Sequence, residues 1–145
     1  MKKAFSMITA IMVIILMATV AVFIMNLSGK MVKGTMTQYQ REQSMLLAKS
    51  YTEYAILAVT ANDQDTANCL NNISGSYGIF SVDVNISYIG DTNLHPNCRT
   101  LENNVSTVKT PLSIIVDVFV RYDDLDNPSS PPPEITYHRR SLQKI

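Results

Sequence analysis

Phe5-Ser-Met-Ile-Thr-Ala-Ile-Met-Val-Ile-Ile-Leu-Met-Ala-Thr-Val-Ala-Val-Phe-Ile-Met-Asn-Leu-Ser-Gly29 is the stretch that decides how the rest of the chain is read. It contains no charged side chain and no proline, and its glycine is its last residue. Wound as an α-helix at 1.5 Å per residue, 25 residues reach about 37 Å, more than the roughly 30 Å of a bilayer's hydrocarbon core. The hydroxyls of Ser6, Thr9, Thr19 and Ser28 can return to helix carbonyls, which makes them tolerable in lipid. A cleaved secretory signal is the alternative, but such a signal has an apolar core of about 7–15 residues and a small-residue cleavage site behind it. This run is longer, and no Ala-x-Ala-like site follows it. Lys2 and Lys3 precede the run and Lys30 and Lys33 follow it. The charges on its two flanks nearly tie, so they set no orientation by themselves.

Outside this run the composition changes. The 145-residue chain carries twelve Lys/Arg and twelve Asp/Glu, and 46% of it is hydrophobic. Zero net charge excludes a polybasic nucleic-acid binder driven by phosphate contacts. The hydrophobic fraction excludes an acidic disordered chain. All eight methionines lie in the first 45 residues, and the part from Lys30 onward has a net charge of −2. The expected organisation is an apolar membrane-spanning helix at 5–29, its continuation as a stalk helix over 30–62, and a polar β-rich head over 63–145. The fold class expected is α+β.

The stalk has no proline from Lys30 to Asn62, and good helix formers are frequent there. Leu47, Tyr51, Tyr54 and Ala58 recur at helical spacing, with Ala48 and Ala55 beside them. This predicts one apolar stripe that packs on the head. A coiled-coil seam is the alternative, but it would need three or four sustained heptads. Gly29 and Gly34 mark either a place where the helix can bend or a flexible juxtamembrane segment.

In the head, residues 62–68 form a polar break, and an Asn-, Ser- and Gly-rich loop is expected from Cys69 to Gly78. Phe80, Val82, Val84, Ile86 and Tyr88 alternate with Ser81, Asp83, Asn85 and Ser87, the period of a half-buried strand. Residues 90–104 read as a polar connection. Leu112 to Tyr122 predicts a second strand, with Asp117, Phe119 and Arg121 in the register opposite Val116, Val118 and Val120. A loop with prolines at 128, 131, 132 and 133 precedes a third strand, Glu134 to Leu142. The expected product is an antiparallel meander across the stalk helix. The proline cluster is either a stiff loop or a polyproline segment for a partner.

Cys69 and Cys98 read as one structural disulfide in a small exported head, which favours a head outside the cytoplasm. A redox role is the alternative, though a Cys-x-x-Cys spacing is lacking. No catalytic constellation is found, so no enzyme activity and no cofactor is expected. His95 and His138 have no metal-like spacing. The acidic pairs Asp63/Asp65 and Asp124/Asp126 are of the kind that hold calcium, but neither continues into a full calcium loop. They are expected to be solvated carboxylates. Asn-x-Ser triplets at Asn72, Asn85 and Asn104 would matter only in a glycosylating host.

The opening Met1-Lys2-Lys3-Ala4-Phe5-Ser6-Met7-Ile8-Thr9, followed by the apolar helix, the stalk and the two-cysteine head, resembles type IV pilins and the pseudopilins of type II secretion systems. The resemblance covers the whole architecture, and its specific motif is about ten residues long. It implies cleavage by a prepilin peptidase between Ala4 and Phe5, removing a leader of residues 1–4, and N-methylation of Phe5. Ala4 stands where the family usually has Gly. Thr9 stands where major pilins carry the glutamate that neutralises a neighbouring subunit's amino terminus. The resemblance therefore implies a minor pilin or pseudopilin, held in the bacterial inner membrane with its head in the periplasm or outside. Its implied partners are the peptidase, other pilin or pseudopilin subunits and the inner-membrane assembly platform. The alternative is an unprocessed single-pass membrane protein with an extracytoplasmic binding head.

Overall fold

In a computed structural model the described residues are 7–62, 69–90, 96–102, 105, 112–124, 127 and 129–145, together with the helix backbone of 2–6. Helix α1 spans Lys2–Ala61, and the strands are β1 Asn72–Tyr77, β2 Phe80–Ile89, β3 Thr100–Glu102, β4 Ser113–Asp123 and β5 Glu134–Lys144. The chain divides within α1 into two units, Met1–Tyr39 and Gln40–Ile145.

The first unit is helical throughout its described length, without a break at Gly29 or Gly34. Its large apolar side chains, among them Ile11, Leu16, Phe23 and Met25, are exposed. Thr19 returns its hydroxyl to Leu16 O at 2.8 Å, as expected for a threonine in an apolar helix.

The second unit is an α+β fold in which the end of α1 lies on a small sheet of order β1-β2-β4-β5, with one disulfide, Cys69–Cys98. β1, β2, β4 and β5 are antiparallel neighbours. Alternation fixes which side chains face the helix. Val82, Val84, Ile86 and Tyr88 of β2 stand opposite Val120, Val118, Val116 and Ile114 of β4, and all eight are buried. Phe80 and Tyr122 close one end of this layer edge to face, with ring centroids 5.3 Å apart.

The helix meets the layer with small residues. Ser44, Ala48, Thr52, Ala55 and Val59 are its fully or almost fully buried positions, spaced four, four, three and four apart. The expected stripe is thus centred on its small members: Ala48 and Ala55 are buried, Leu47, Tyr51 and Ala58 are half-buried flanks, and Tyr54 is 56% exposed. The sheet already supplies the bulk through valine, isoleucine and tyrosine, so the helix face against it carries short side chains. The two buried hydroxyls are satisfied inside the helix, Ser44 donating to Arg41 O and Thr52 to Ala48 O, both at 2.7 Å. A polar group that keeps its hydrogen bond adds little burial penalty.

Two strands go beyond the expected three. β1 occupies the Asn/Ser/Gly-rich segment expected as loop, and pairs with β2 from Asn72↔Asn85 to Tyr77↔Phe80. Gly78, at φ +59°, takes the first place of the two-residue turn between them, where a glycine matches a hairpin's twist. β3 lies in the expected polar connection and runs parallel to the end of β2, with Tyr88 opposite Thr100.

Candidate functional site

Three features of the fold carry functional information: the apolar helix, the stapled edge of β2, and the outer face of the sheet. The helix is long and apolar enough to cross a membrane, and its apolar window has no surface buried inside the protein. Ala4 and Phe5, the expected processing residues, belong to the backbone of α1, and their side chains lie outside the described residues. Thr9 is exposed on the same helix.

The stapled edge is built by two short segments running together beside β2. Cys69 and Cys98 are joined by the disulfide across a sequence separation of 29, and Cys98 is buried. Asn71 ties the same segments by its amide: Nδ2 donates to Asn97 O at 2.8 Å, and Oδ1 accepts from Arg99 N at 2.9 Å. Both segments also bond to β2, since Asn71 O accepts from Ile86 N and Arg99 O from Tyr88 N. Tyr88 sends its phenol to Leu70 O at 2.9 Å. Burial raises the pKa of that phenol, partly offset by this hydrogen bond. The disulfide thus sits inside a hydrogen-bonded core edge, in the arrangement of a structural crosslink.

The outer face of the sheet carries a polar ladder across β2, β4 and β5. Arg140 lies directly opposite Asp117 and donates Nε to Oδ1 at 2.7 Å and NH2 to Oδ2 at 2.9 Å. His138 Nε2 lies 2.7 Å from the same Oδ1, and its ring stacks on Phe119 with centroids 4.5 Å apart. One row along, Arg121 bonds Asp83 Oδ2 at 2.6 Å and approaches Glu134 at 3.7 Å. The Arg140 guanidinium holds the Asp117 carboxyl below the usual carboxylate range. Burial acts in the opposite direction, and the His138 hydrogen bond adds to the lowering. An aspartate–histidine pair occurs in hydrolytic triads. Here Arg140 takes both carboxylate oxygens, which makes the cluster a cross-strand clamp between β4 and β5. Sequence reasoning placed Asp117 and Arg121 in the outward register but missed this clamp. Recognising it requires the β4–β5 register, which sets residue 117 against 140.

Among the described residues, no three His, Cys, Asp or Glu side chains are placed to hold a metal ion. Asp63, Asp65, His95, Asn104 and Asp126 lie outside the described residues. Asn72 and Asn85 are bonded to one another, Asn72 Nδ2 donating to Asn85 Oδ1 at 2.9 Å. Tyr51, Tyr54, Ser50, Ile73 and Ser74 line an open cleft between the helix and β1. Comparison with known proteins gives no matching family model, no matching characterised protein and no matching solved structure.

Proposed function

We propose that the chain is a minor pilin or pseudopilin subunit, stored in a bacterial inner membrane by its apolar helix and assembled through that helix into a filament or its tip. The observation that carries this reading is the order of parts at the amino terminus. A short basic leader is followed by Ala4, Phe5 and a charge-free apolar run, which continues as one helix to Ala61. A helix of this kind can sit in lipid as a monomer and then exchange lipid for the helices of neighbouring subunits, with packing as the main driving force. The stapled sheet supports a head that works outside the cytoplasm, where disulfides persist. The head's task in this reading is to present a surface to partner subunits, and no reaction is assigned to it.

The experiment is intact-mass analysis of the protein purified from its host. The expected mass lacks Met1, Lys2, Lys3 and Ala4 and includes one methyl group on Phe5. Retention of all four residues in cells with an active prepilin peptidase would remove the reading. One residue weighs against a place in a filament shaft and leaves room for a second reading, an unprocessed single-pass protein with a binding head. Thr9 replaces the carboxylate that would offset a neighbour's amino terminus inside a helical bundle, where an unpaired charge is costly.

A further inference from the structure

The two long sides of the sheet differ. On the side of β2 away from β4, the backbone of β2 is occupied along its length, and the edge strand beyond it is the six-residue β1, which contains Gly75. β1 takes residues 80–85, Asn71 O takes Ile86 N, Arg99 O takes Tyr88 N and Glu102 O takes Gly90 N. At the opposite end, β5 pairs, among the described residues, with β4 alone. All 11 residues of β5 keep one register, from Asp123↔Glu134 to Ser113↔Lys144, and none of them is Pro or Gly. In an antiparallel pair every second residue directs its N–H and C=O away from the partner strand. β5 therefore offers a continuous row of outward backbone groups, the template for one more strand.

The charges on β5 say what kind of strand. Arg140 is engaged by Asp117 and Glu134 by Arg121. Arg139 and Lys144 have no carboxylate partner among the described residues. Arg139 shares the core-side register of Val118, its directly paired residue on β4, and its Nε is buried without a hydrogen bond. An inward-facing charge on an edge strand guards a sheet against pairing with its own kind. Two β5 strands meeting antiparallel about this residue would set one guanidinium against the other. The same charge favours a strand with carboxylates at alternate positions, because the guanidinium fork accepts a carboxylate in bidentate fashion. Rejection of one class of strand and attraction of another together make specificity.

We infer that the free edge of β5 is a strand-addition site for an extended acidic segment of a partner protein, which joins the sheet beside Glu134–Lys144. The site needs only the sheet and stands whether or not the chain enters a filament.

The test uses the full chain in detergent micelles and an 11-residue peptide alternating Glu with Thr and Val. Binding is read by fluorescence anisotropy, and its position by hydrogen exchange resolved by mass spectrometry. Slower exchange is expected within residues 134–144, with affinity at least tenfold weaker for the same peptide carrying Lys in place of Glu. Arg139→Gln should weaken the acidic peptide about tenfold while leaving exchange in β4 unchanged. Two further peptides carry backbone N-methyl groups on the odd or on the even residues. One phase should abolish binding and the other should retain it, because only alternate residues of an added strand bond to β5. Equal binding of both methylated peptides would reduce the effect to charge attraction and overturn the proposal. Equal binding of the Lys peptide, protection at Asn72–Tyr77 instead of β5, or no protection at the peptide's solubility limit would overturn it too. The peptide comparisons use the unmodified chain, so an Arg139→Gln variant that failed to fold would leave the test decisive.

Discussion

Exchanging one pair of residues on α1 separates packing from helix formation. Ala55 is fully buried in the cluster that holds the core valines, whereas Leu57, two residues on, is 67% exposed. Alanine and leucine are both strong helix formers, so substituting either for the other changes intrinsic propensity little. Ala55→Leu adds three carbons on a face with no exposed surface. Extra methylenes in a packed core cost about 1–3 kcal/mol, and three on one site place the expected loss near the top, at about 3 kcal/mol. Leu57→Ala removes a side chain that is mostly solvated, and its effect should stay within about 0.5 kcal/mol. Urea unfolding of the full chain in micelles, followed by far-ultraviolet circular dichroism and tyrosine fluorescence, measures both. At a slope of about 1–2 kcal/mol per molar urea, Ala55→Leu should lower the midpoint by roughly 1.5–3 M. If Ala55→Leu unfolds within 0.5 kcal/mol of the unmodified chain, the small-residue face is not the packed one. A Leu57→Ala loss as large as that of Ala55→Leu would refute the assignment equally.

Removing the crosslink by Cys69→Ser with Cys98→Ser should cost about 3.5 kcal/mol on the chain-entropy model for a separation of 29 residues, read as a lowered urea midpoint; a loss under 1 kcal/mol would contradict a structural role. Asp117→Asn should flatten the acid side of the stability–pH curve. The folded carboxyl titrates below its ordinary value, so its stabilisation is complete above the unfolded value of about 3.9 and disappears as pH falls through the folded one. Unfolding midpoints from pH 7 down to 2 would show an unchanged acid limb if the clamp has no energetic weight. Gly75→Ala places a methyl group against the phenol of Tyr51 and should cost about 1 kcal/mol. The same change in a Tyr51→Phe chain should cost less, because the nearest atom is gone, and a double-mutant cycle with zero coupling would refute the contact.

The elements with strong periodicity were legible in the sequence. The 25-residue apolar run, the alternation from Phe80 to Tyr88 and that from Leu112 to Tyr122 each satisfy one geometric period. The apolar run lies within α1, and the two alternations lie in β2 and β4 within about one residue of the expected ends. β1 was not legible because Asn72-Ile-Ser-Gly-Ser-Tyr77 has little strand character of its own; its pairing is supplied by β2 and its Gly75 is required by Tyr51. β3 is three exposed residues fixed by backbone bonds from Tyr88 and Gly90, which no residue pattern announces. The helix face was legible in part: Ala48 and Ala55 belong to the expected stripe and are buried, whereas Tyr54, conspicuous for its bulk, is exposed. Contact with a valine-rich sheet adds Ser44 and Thr52 to that face, two hydroxyl residues that an apolar pattern passes over. The Asp117 clamp depends on register, a property of two strands that neither reveals alone.

The position of the Cys69–Cys98 bond also decides how the head would carry tension. A pull between α1 and β5 enters the sheet at Cys69 and leaves the crosslinked segment at Cys98. The covalent bond carries that force directly, so β1 and β2, which lie between the two cysteines, are bypassed. At about 3.3–3.6 Å per extended residue, the 29-residue separation represents roughly 100 Å of chain that cannot lengthen while the bond is intact. Only the segments outside the crosslink, β4 and β5 among them, can yield as springs. Under load the extension must come from contacts such as the β4–β5 pair, held by its backbone ladder and the Asp117 clamp.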